Sequence, residues 1–341
     1  MRNLNALLEP VRAEAKLPAL AAALVERGKL TAIGAVGRHR ADSDEPVQTG
    51  DRFHIGSCTK SMTATLFAQL VEAGKLDWST MVAEVLPKIR RSIRREYWKA
   101  TVEQLLTHRA GLPEDRAPDP QVFPRLWALR ADQRLQAAEI ILQQTPVRKP
   151  GEKVVYSNGG YVVAGAIAEA VGGKVWEELV QEMLFRPLGI RSAGFGAPPD
   201  GAWGHRPASE GYVPVPPSPF ADNPPAFSPA GRVHLSMQDW ARFAILHLRG
   251  TVEQKPSLLS QASFQKLHTP PEGSDYAMGW GVSQPDWAKG LVIQHAGSNT
   301  MWFALIVLVP QEQRGYLVAS SAGDENARNA VRKAMERLRQ R

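Results

Sequence analysis

Ser57-Cys58-Thr59-Lys60, Tyr156-Ser157-Asn158 and His295-Ala296-Gly297 stand in this order along the chain, and no other feature narrows its fold and chemistry as far. Each is weak alone. Ser263-Phe264-Gln265-Lys266 is a second Ser-x-x-Lys and His54-Ile55-Gly56 a second His-x-Gly, whereas Tyr156-Ser157-Asn158 is the only Tyr-x-Asn. Only Ser57 is followed at workable distances by both a Tyr-x-Asn and a later His-x-Gly.

The setting of Ser57 has a physical logic. Phe53 to Gly56 reads as a short entry segment, and Thr59 to Ala73 carries apolar Met62, Leu66, Leu70 and Val71 before Gly74 stops it. That pattern predicts a buried helix with Ser57 at its start. An oxyanion formed there is stabilised by unpaired backbone N–H groups and the positive end of the helix dipole. Lys60, three residues on, projects from the same face, so its amine reaches the Ser57 hydroxyl. This is the layout of an activated nucleophile. Burial lowers a lysine pKa, and a neutral or proton-sharing Lys60 helps take the serine proton. An isolated Ser-x-x-Lys reads more simply as a capping serine with a surface lysine; the two companion motifs decide for the nucleophile.

With these motifs the chain resembles the serine β-lactamase and penicillin-binding-protein superfamily, in its branch of class C β-lactamases, D-stereospecific peptidases and esterases of the same fold. The similarity extends to Leu105-Leu106-Thr107-His108-Arg109-Ala110-Gly111-Leu112, Pro150-Gly151-Glu152, Tyr156 to Tyr161, Phe185-Arg186-Pro187-Leu188-Gly189 and Gly279-Trp280-Gly281-Val282, from about residue 5 to 335. The resemblance implies an α/β (α+β) fold of the β-lactamase/transpeptidase type: an antiparallel sheet flanked by helices, plus an inserted, mainly helical domain. It also implies that Ser57 attacks an ester or amide carbonyl, with Lys60 and Tyr156 handling the proton and Tyr156 as general base. A phenol needs a lowered pKa, or a proton shared with Lys60, to act so near pH 7. Asn158 would orient Lys60 and the acyl group. By the match to the third motif, the backbone N–H groups of Ser57 and Ser298, beside Gly297, would form the oxyanion hole. His295 takes the place of the lysine seen in β-lactamases. A histidine titrates near neutrality, so any cationic role should fade above about pH 6.5. At Ala296 the resembling β-lactamases and D,D-peptidases usually have threonine, whose hydroxyl helps hold a substrate carboxylate. Thr300 offers a substitute hydroxyl nearby.

Length and composition agree with one such enzyme: 341 residues, 43% hydrophobic and 22% charged, is ordinary globular material with a length prior of two domains. Leu20 to Val25, the Arg27-Gly28-Lys29 turn and Leu30 to Val36 predict a β-hairpin. Val292 to Gln294, Trp302 to Pro310 and Tyr316 to Ser320 predict three more strands, closed by a helix over Asn326 to Arg339. The organisation is therefore read as a discontinuous α/β sheet domain, 1–75 and 235–341, with a mainly helical domain over 76–234 and the active site at their junction. Pro113 to Pro124 and Pro214 to Pro229 predict loops, since proline lacks the N–H and fixes its backbone angle. The second, with seven prolines, reads as a stiff rim or packed surface excursion.

The net charge of +7 invites a nucleic-acid reading, but the basic residues are scattered, with clusters only at Lys88 to Arg95 and in the terminal helix, where Glu336 interrupts them. No nucleic-acid partner is expected. The longest apolar stretches, Leu17 to Val25 and Met301 to Pro310, are shorter than a bilayer needs and read as strands. The single Cys58 allows no intrachain disulfide and reads as a packed small residue. The first sixteen residues hold Glu9 and Glu14 and read as an amphipathic helix rather than a secretory signal, giving a cytoplasmic protein as it stands, or a periplasmic or secreted one if a leader has been removed. No Gly-x-Ser-x-Gly elbow, metal-ligand histidine spacing or phosphate-binding glycine loop occurs. The expectation is thus cofactor-free and metal-free covalent catalysis on a small-molecule ester, amide or β-lactam. An esterase or amidase leads. A cell-wall enzyme (D,D-peptidase, D-aminopeptidase or class C-like β-lactamase) and a catalytically silent binding relative stand as alternatives.

Overall fold

The computed structural model describes residues 1–114, 122–252 and 257–341. Its strands are β1 (Arg2–Asn3), β2 (Ala19–Glu26), β3 (Lys29–Gly37), β4 (Arg52–His54), β5 (Gly194–Phe195), β6 (Gly204–Pro207), β7 (Tyr212–Val215), β8 (Val233–Ser236), β9 (Gly281–Ser283), β10 (Val292–Ser298), β11 (Phe303–Val309) and β12 (Arg314–Ser320). Seven form one sheet in the order β1-β3-β2-β12-β11-β10-β9, antiparallel except where β1 lies parallel to β3. The predicted hairpin is β2–β3. Its two-residue turn places Arg27 and Gly28 at φ +51° and +65°, the pair of left-handed residues that matches the twist of the flanking strands.

Strand β2 shows no polar alternation because both of its faces are covered. Leu20, Ala22 and Leu24 pack with Leu7, Leu8, Val331 and Leu338, from the chain's first and last helices. Ala19, Ala21, Ala23 and Val25 face the larger core of Met62, Phe67, Trp240 and Phe243. Helices Asn5–Glu14 and Glu325–Arg339 thus cover one side of the sheet, and the Met237–Gly250 helix the other. The terminal helix begins where Asp324 accepts the Ala327 N–H at 3.2 Å, a side-chain cap.

The Ser57 segment forms as expected. A 3₁₀ turn, Gly56–Cys58, runs into a helix over Thr59–Glu72 that is buried from Thr59 to Leu70, and Gly74 follows at φ +65°. Strand β4 feeds this turn from a small sheet of order β4-β8-β5. Between β4 and β8 lie helices over Arg134–Leu142, Asn158–Gly172 and Trp176–Val180, tied together by Arg134. This fully buried guanidinium bonds the Glu169 carboxylate, Glu177 at 2.7 Å and the Ala226 carbonyl at 3.1 Å.

Strand β10 is longer than expected. Ala296 and Gly297 are poor strand formers, but pairing of Gly297 with Ala304 and Ser298 with Phe303 carries the ladder to Ser298. The proline stretches are also more ordered than loops. Pro124 lies in the first turn of a helix, Val122–Trp127, where its missing N–H costs nothing; residues 115–121 of that stretch lie outside the described residues. Pro214 lies in β7, half of a two-stranded pair with β6, and Pro229 near the start of a one-turn helix, Ser228–Gly231. Among the described residues no helix is long and apolar enough to cross a membrane.

Candidate active site

The 3₁₀ turn leaves Ser57 half-buried at the mouth of its helix, while Lys60 is wholly buried. The Lys60 Nζ lies 3.1 Å from Ser57 Oγ, 2.5 Å from Asn158 Oδ1 and 2.6 Å from the Ala230 carbonyl oxygen. The first two motifs therefore meet on one ammonium group. Ala230 belongs to the one-turn helix at the end of the second proline stretch, and its neighbour Pro229 accepts the Thr63 hydroxyl at 2.7 Å. That one-turn helix closes on the Asn158–Gly172 helix at Gly165, where a Cβ would stand 2.4 Å from the Pro229 ring.

Tyr156 is 37% exposed, with its ring centroid 4.9 Å from Lys60 Nζ and 4.2 Å from the His108 ring. His108 supports this segment. It sits at φ +57°, a left-handed conformation uncommon outside glycine, and its Nδ1 accepts the Ser157 N–H at 3.2 Å. The proton therefore resides on Nε2, which is buried without a hydrogen-bond partner among the described residues, boxed in by the rings of Tyr156, Tyr161 and Tyr276. Burial first, then the charge of Lys60, holds its pKa well below the ordinary histidine value.

The third motif approaches through glycine. A Cβ on Gly56 would stand 2.3 Å from the Ser298 nitrogen, and one on Gly297 would stand 2.6 Å from the Ser57 nitrogen and 2.0 Å from the Ile55 carbonyl oxygen. Two backbones cross here at a distance only glycine permits, bringing the main-chain nitrogens of Ser57 and Ser298 to one place. The Ser298 hydroxyl is occupied by the turn that follows, donating to the Trp302 carbonyl at 2.7 Å and accepting from Thr300 N–H. Thr300 is exposed at φ +78°.

His295 departs from expectation. It is 7% exposed, its Nδ1 donates to the Ala296 carbonyl at 2.7 Å and its Nε2 accepts from Tyr276 Oη at 2.9 Å. Burial, reinforced by the nearby Lys60 charge, lowers its pKa to about 3. The imidazole is neutral throughout the physiological range, so the predicted switch near pH 6.5 does not occur. Cys58 is buried, its thiol donates to the His295 carbonyl at 3.2 Å, and burial raises its pKa far above the usual thiol value. It packs rather than reacts.

Sequence reasoning named Ser57, Lys60, Tyr156, Asn158, His295, Gly297 and Ser298, and the structure brings all seven together around Ser57 and Lys60. It missed the Ala230 carbonyl, which no residue type announces, and Tyr276. His108 and Gly279 lay inside segments noted for their resemblance, without roles. A Cβ on Gly279, at φ +74°, would stand 2.6 Å from the Ser61 nitrogen, so this glycine lets the Trp280 segment lie directly on the helix start.

The family model described as Beta-lactamase matches residues 4–340. Penicillin-binding protein 4 of Amycolatopsis lactamdurans is 30% identical over 315 residues, which cover 89% of this chain and 80% of that protein. Protein flp of Staphylococcus aureus (strain MW2) is 21% identical over 334 residues, 95% of this chain but only 64% of that longer protein. Among solved structures, SurE superposes with a TM-score of 0.82 at 25% identity, covering 99% of this chain and 75% of that one. The octameric penicillin-binding protein homologue from Pyrococcus abyssi superposes with a TM-score of 0.80 at 24% identity, covering 98% and 76%. A match from the fourth residue to the last but one, on a fold shared with penicillin-binding-protein homologues, means that the chain belongs to the β-lactamase family, a family of serine hydrolases.

Proposed function

We propose that this protein is a serine hydrolase working through an acyl-enzyme on Ser57, with neutral esters as its preferred acyl donors: a carboxylesterase on the β-lactamase fold. The observation that carries the reading is the convergence of Ser57 Oγ and Asn158 Oδ1 on the buried Lys60 ammonium. On this reading Ser57 Oγ attacks the carbonyl carbon and its proton passes to the Tyr156–Lys60 pair, with Tyr156 as base and Lys60 as the cation beside it. The carbonyl oxygen becomes an oxyanion between the N–H groups of Ser57 and Ser298, each worth a few kcal/mol in the transition state. The alkoxide leaves with the relayed proton, and water then cleaves the acyl-enzyme. On the division of the chain into 1–75 with 235–341, and 76–234, the cleft lies where the two parts meet.

The preference for esters rests on the third motif. His295 is neutral and turned onto protein partners, and Ala296 carries no hydroxyl, so a substrate carboxylate there lacks a charge-assisted hydrogen bond of about 1.5–3 kcal/mol. That is roughly ten- to more than a hundredfold in efficiency, and neutral esters lose nothing. Short-chain p-nitrophenyl esters should be hydrolysed and a fluorophosphonate should label Ser57, while nitrocefin turns over slowly or not at all. Ala296→Thr should raise nitrocefin efficiency and barely change that of esters. Label on another serine, or unchanged turnover by folded Ser57→Ala, would sink the mechanism; fast parental nitrocefin turnover, unaltered by Ala296→Thr, would sink the ester preference.

A second reading, hydrolysis of D-amino-acid peptides or β-lactams, draws on the relatives: one is named penicillin-binding protein 4, and a structure of SurE with D-Leu superposes with a TM-score of 0.79 at 24% identity, covering 99% of this chain and 74% of that one. Release of D-alanine from a D-alanyl-D-alanine peptide faster than ester turnover would favour it.

A further inference from the structure

His54-Ile55-Gly56, which echoes the third motif by chance of composition, has a place of its own in the structure. His54 is fully buried, and its Nδ1 accepts the N–H of Gly56 at 3.1 Å, which fixes the imidazole proton on Nε2. That Nε2 donates to Asp222 Oδ2 at 2.8 Å. The other oxygen of the same carboxylate, Oδ1, accepts the side-chain amide of Asn299 at 3.0 Å and the Asn223 N–H at 2.8 Å. Arg232 Nε completes the set at 3.3 Å from Oδ2. Asp222, Asn299 and Arg232 are 5%, 9% and 8% exposed.

The arrangement is specific in what it joins. Gly56 immediately precedes Ser57, and Asn299 immediately follows Ser298. The 3₁₀ turn and the end of β10 are remote in sequence, and one buried carboxylate, delivered by the proline-rich stretch, holds both from behind. We propose that Asp222 is the positioning residue of the oxyanion site, setting the separation of the Ser57 and Ser298 N–H groups through His54 on one arm and Asn299 on the other. This rests on the Ser57 mechanism proposed above. Such donors act only when they meet an oxyanion at about 2.7–3.1 Å, and a displacement of about 1 Å can cost on the order of a hundredfold in rate. Because the oxyanion exists only along the reaction coordinate, the loss falls on kcat and leaves KM nearly untouched.

The test uses Asp222→Asn and Asn299→Ala in the full chain, with melting temperature and circular dichroism to confirm folding. In Asp222→Asn the new side-chain amide keeps one acceptor oxygen and turns an NH₂ toward either His54 Nε2 or Asn299 Nδ2, donor against donor; Asn299→Ala leaves the His54 arm in place and removes the Ser298 arm, together with the bonds of the Asn299 amide to the Met301 N–H and the Ala221 carbonyl. Each variant should lower kcat for a p-nitrophenyl ester roughly 10- to 100-fold, with KM within about threefold of the parent. A second readout is the preference for an oxygen ester over its thionoester, whose sulfur is a weak hydrogen-bond acceptor. The preference should shrink severalfold in both variants, which a loss of packing alone would not cause. Folded variants with kcat within about threefold of the parent, or with kcat lowered and the oxygen-over-sulfur preference intact, would overturn the proposal. Should Asp222→Asn fail to fold, Asn299→Ala decides alone. Parental protein without ester turnover or Ser57 labelling would refute the hydrolase reading itself, before either variant is needed.

Discussion

At the scale of single residues, Lys60 is the hinge of the site, since three elements present acceptors to one ammonium group. Tyr156 and Lys60, with the ring centroid 4.9 Å from the amine, should act as one proton relay, and members of a relay are not additive. Lys60→Ala and Tyr156→Phe should each lower turnover roughly 10³-fold, and the double variant should be little worse than either single. Losses that multiply as independent effects would rule the shared relay out. The motif residues were legible because each motif is contiguous and so survives in the sequence as a pattern. The supports were not. Ala230 contributes a carbonyl that any residue would have. His108 bonds a segment 49 residues away, His54 and Asn299 lie 168 and 77 residues from the Asp222 carboxylate that joins them, and the Tyr276 hydroxyl is 19 residues from His295. The neutrality of His295 was equally hidden, because it follows from burial.

At the scale of elements, the hairpin, the nucleophile's helix and the terminal helix were readable from turn residues and periodicity. Strands β1 and β9 were not, since two or three residues carry no period. The proline stretches read as loops because proline is excluded from helix interiors, but it is welcome in a first turn or an edge pair, where these sit. Arg134 is the element-scale fastening. It joins the helices over Arg134–Leu142, Asn158–Gly172 and Trp176–Val180 to the proline stretch through the Ala226 carbonyl. Removing the guanidinium strands Glu169 and Glu177, 16% and 15% exposed at their side chains, facing each other. Breaking a buried pair on one side costs about 3–5 kcal/mol, and the partial exposure of these carboxylates places the cost at the lower end. Urea unfolding of Arg134→Ala should show a loss of about 3 kcal/mol; a loss below about 1 kcal/mol would mean that the helices are held by packing alone.

At the scale of the whole molecule, the interior holds an unusual set of uncharged histidines. Burial lowers the pKa of His268 to about 3 and of His234 to about 4, His295 stands at about 3, and His108 and His247 are held well below the ordinary value. His247 and His268 bond each other, Nδ1 to Nε2, at 2.8 Å. The folded-state values are depressed, so the unfolded chain binds protons first as pH falls. This contribution is complete above about pH 6.5 and is lost on descending from there toward pH 3–4. At pH 5 each of the three histidines with a stated value forfeits about 2 kcal/mol, against a total stability on the order of 5–15 kcal/mol. Thermal melting should be flat between pH 8 and 7 and fall steeply below about pH 6, with unfolding at ambient temperature near pH 4–5. A melting temperature unchanged down to about pH 5 would contradict this count.

The central position of β12 also governs when a site can exist at all. β2 and β3 come from the beginning of the chain and β9, β10 and β11 from its last quarter, and within the sheet the two groups meet only through β12. On a growing polypeptide the nucleophile's turn is made early, yet the strand that crosses it at Gly297 has no sheet to join until residues 314–320 have been synthesised and inserted between β2 and β11. Pairing across such separations is slow and comes late in folding. The crossing of Gly297 over Ser57 is therefore completed only once β12 is in place, and a chain truncated before β12 has nothing in the sheet to tie β10 and β11 to β2 and β3.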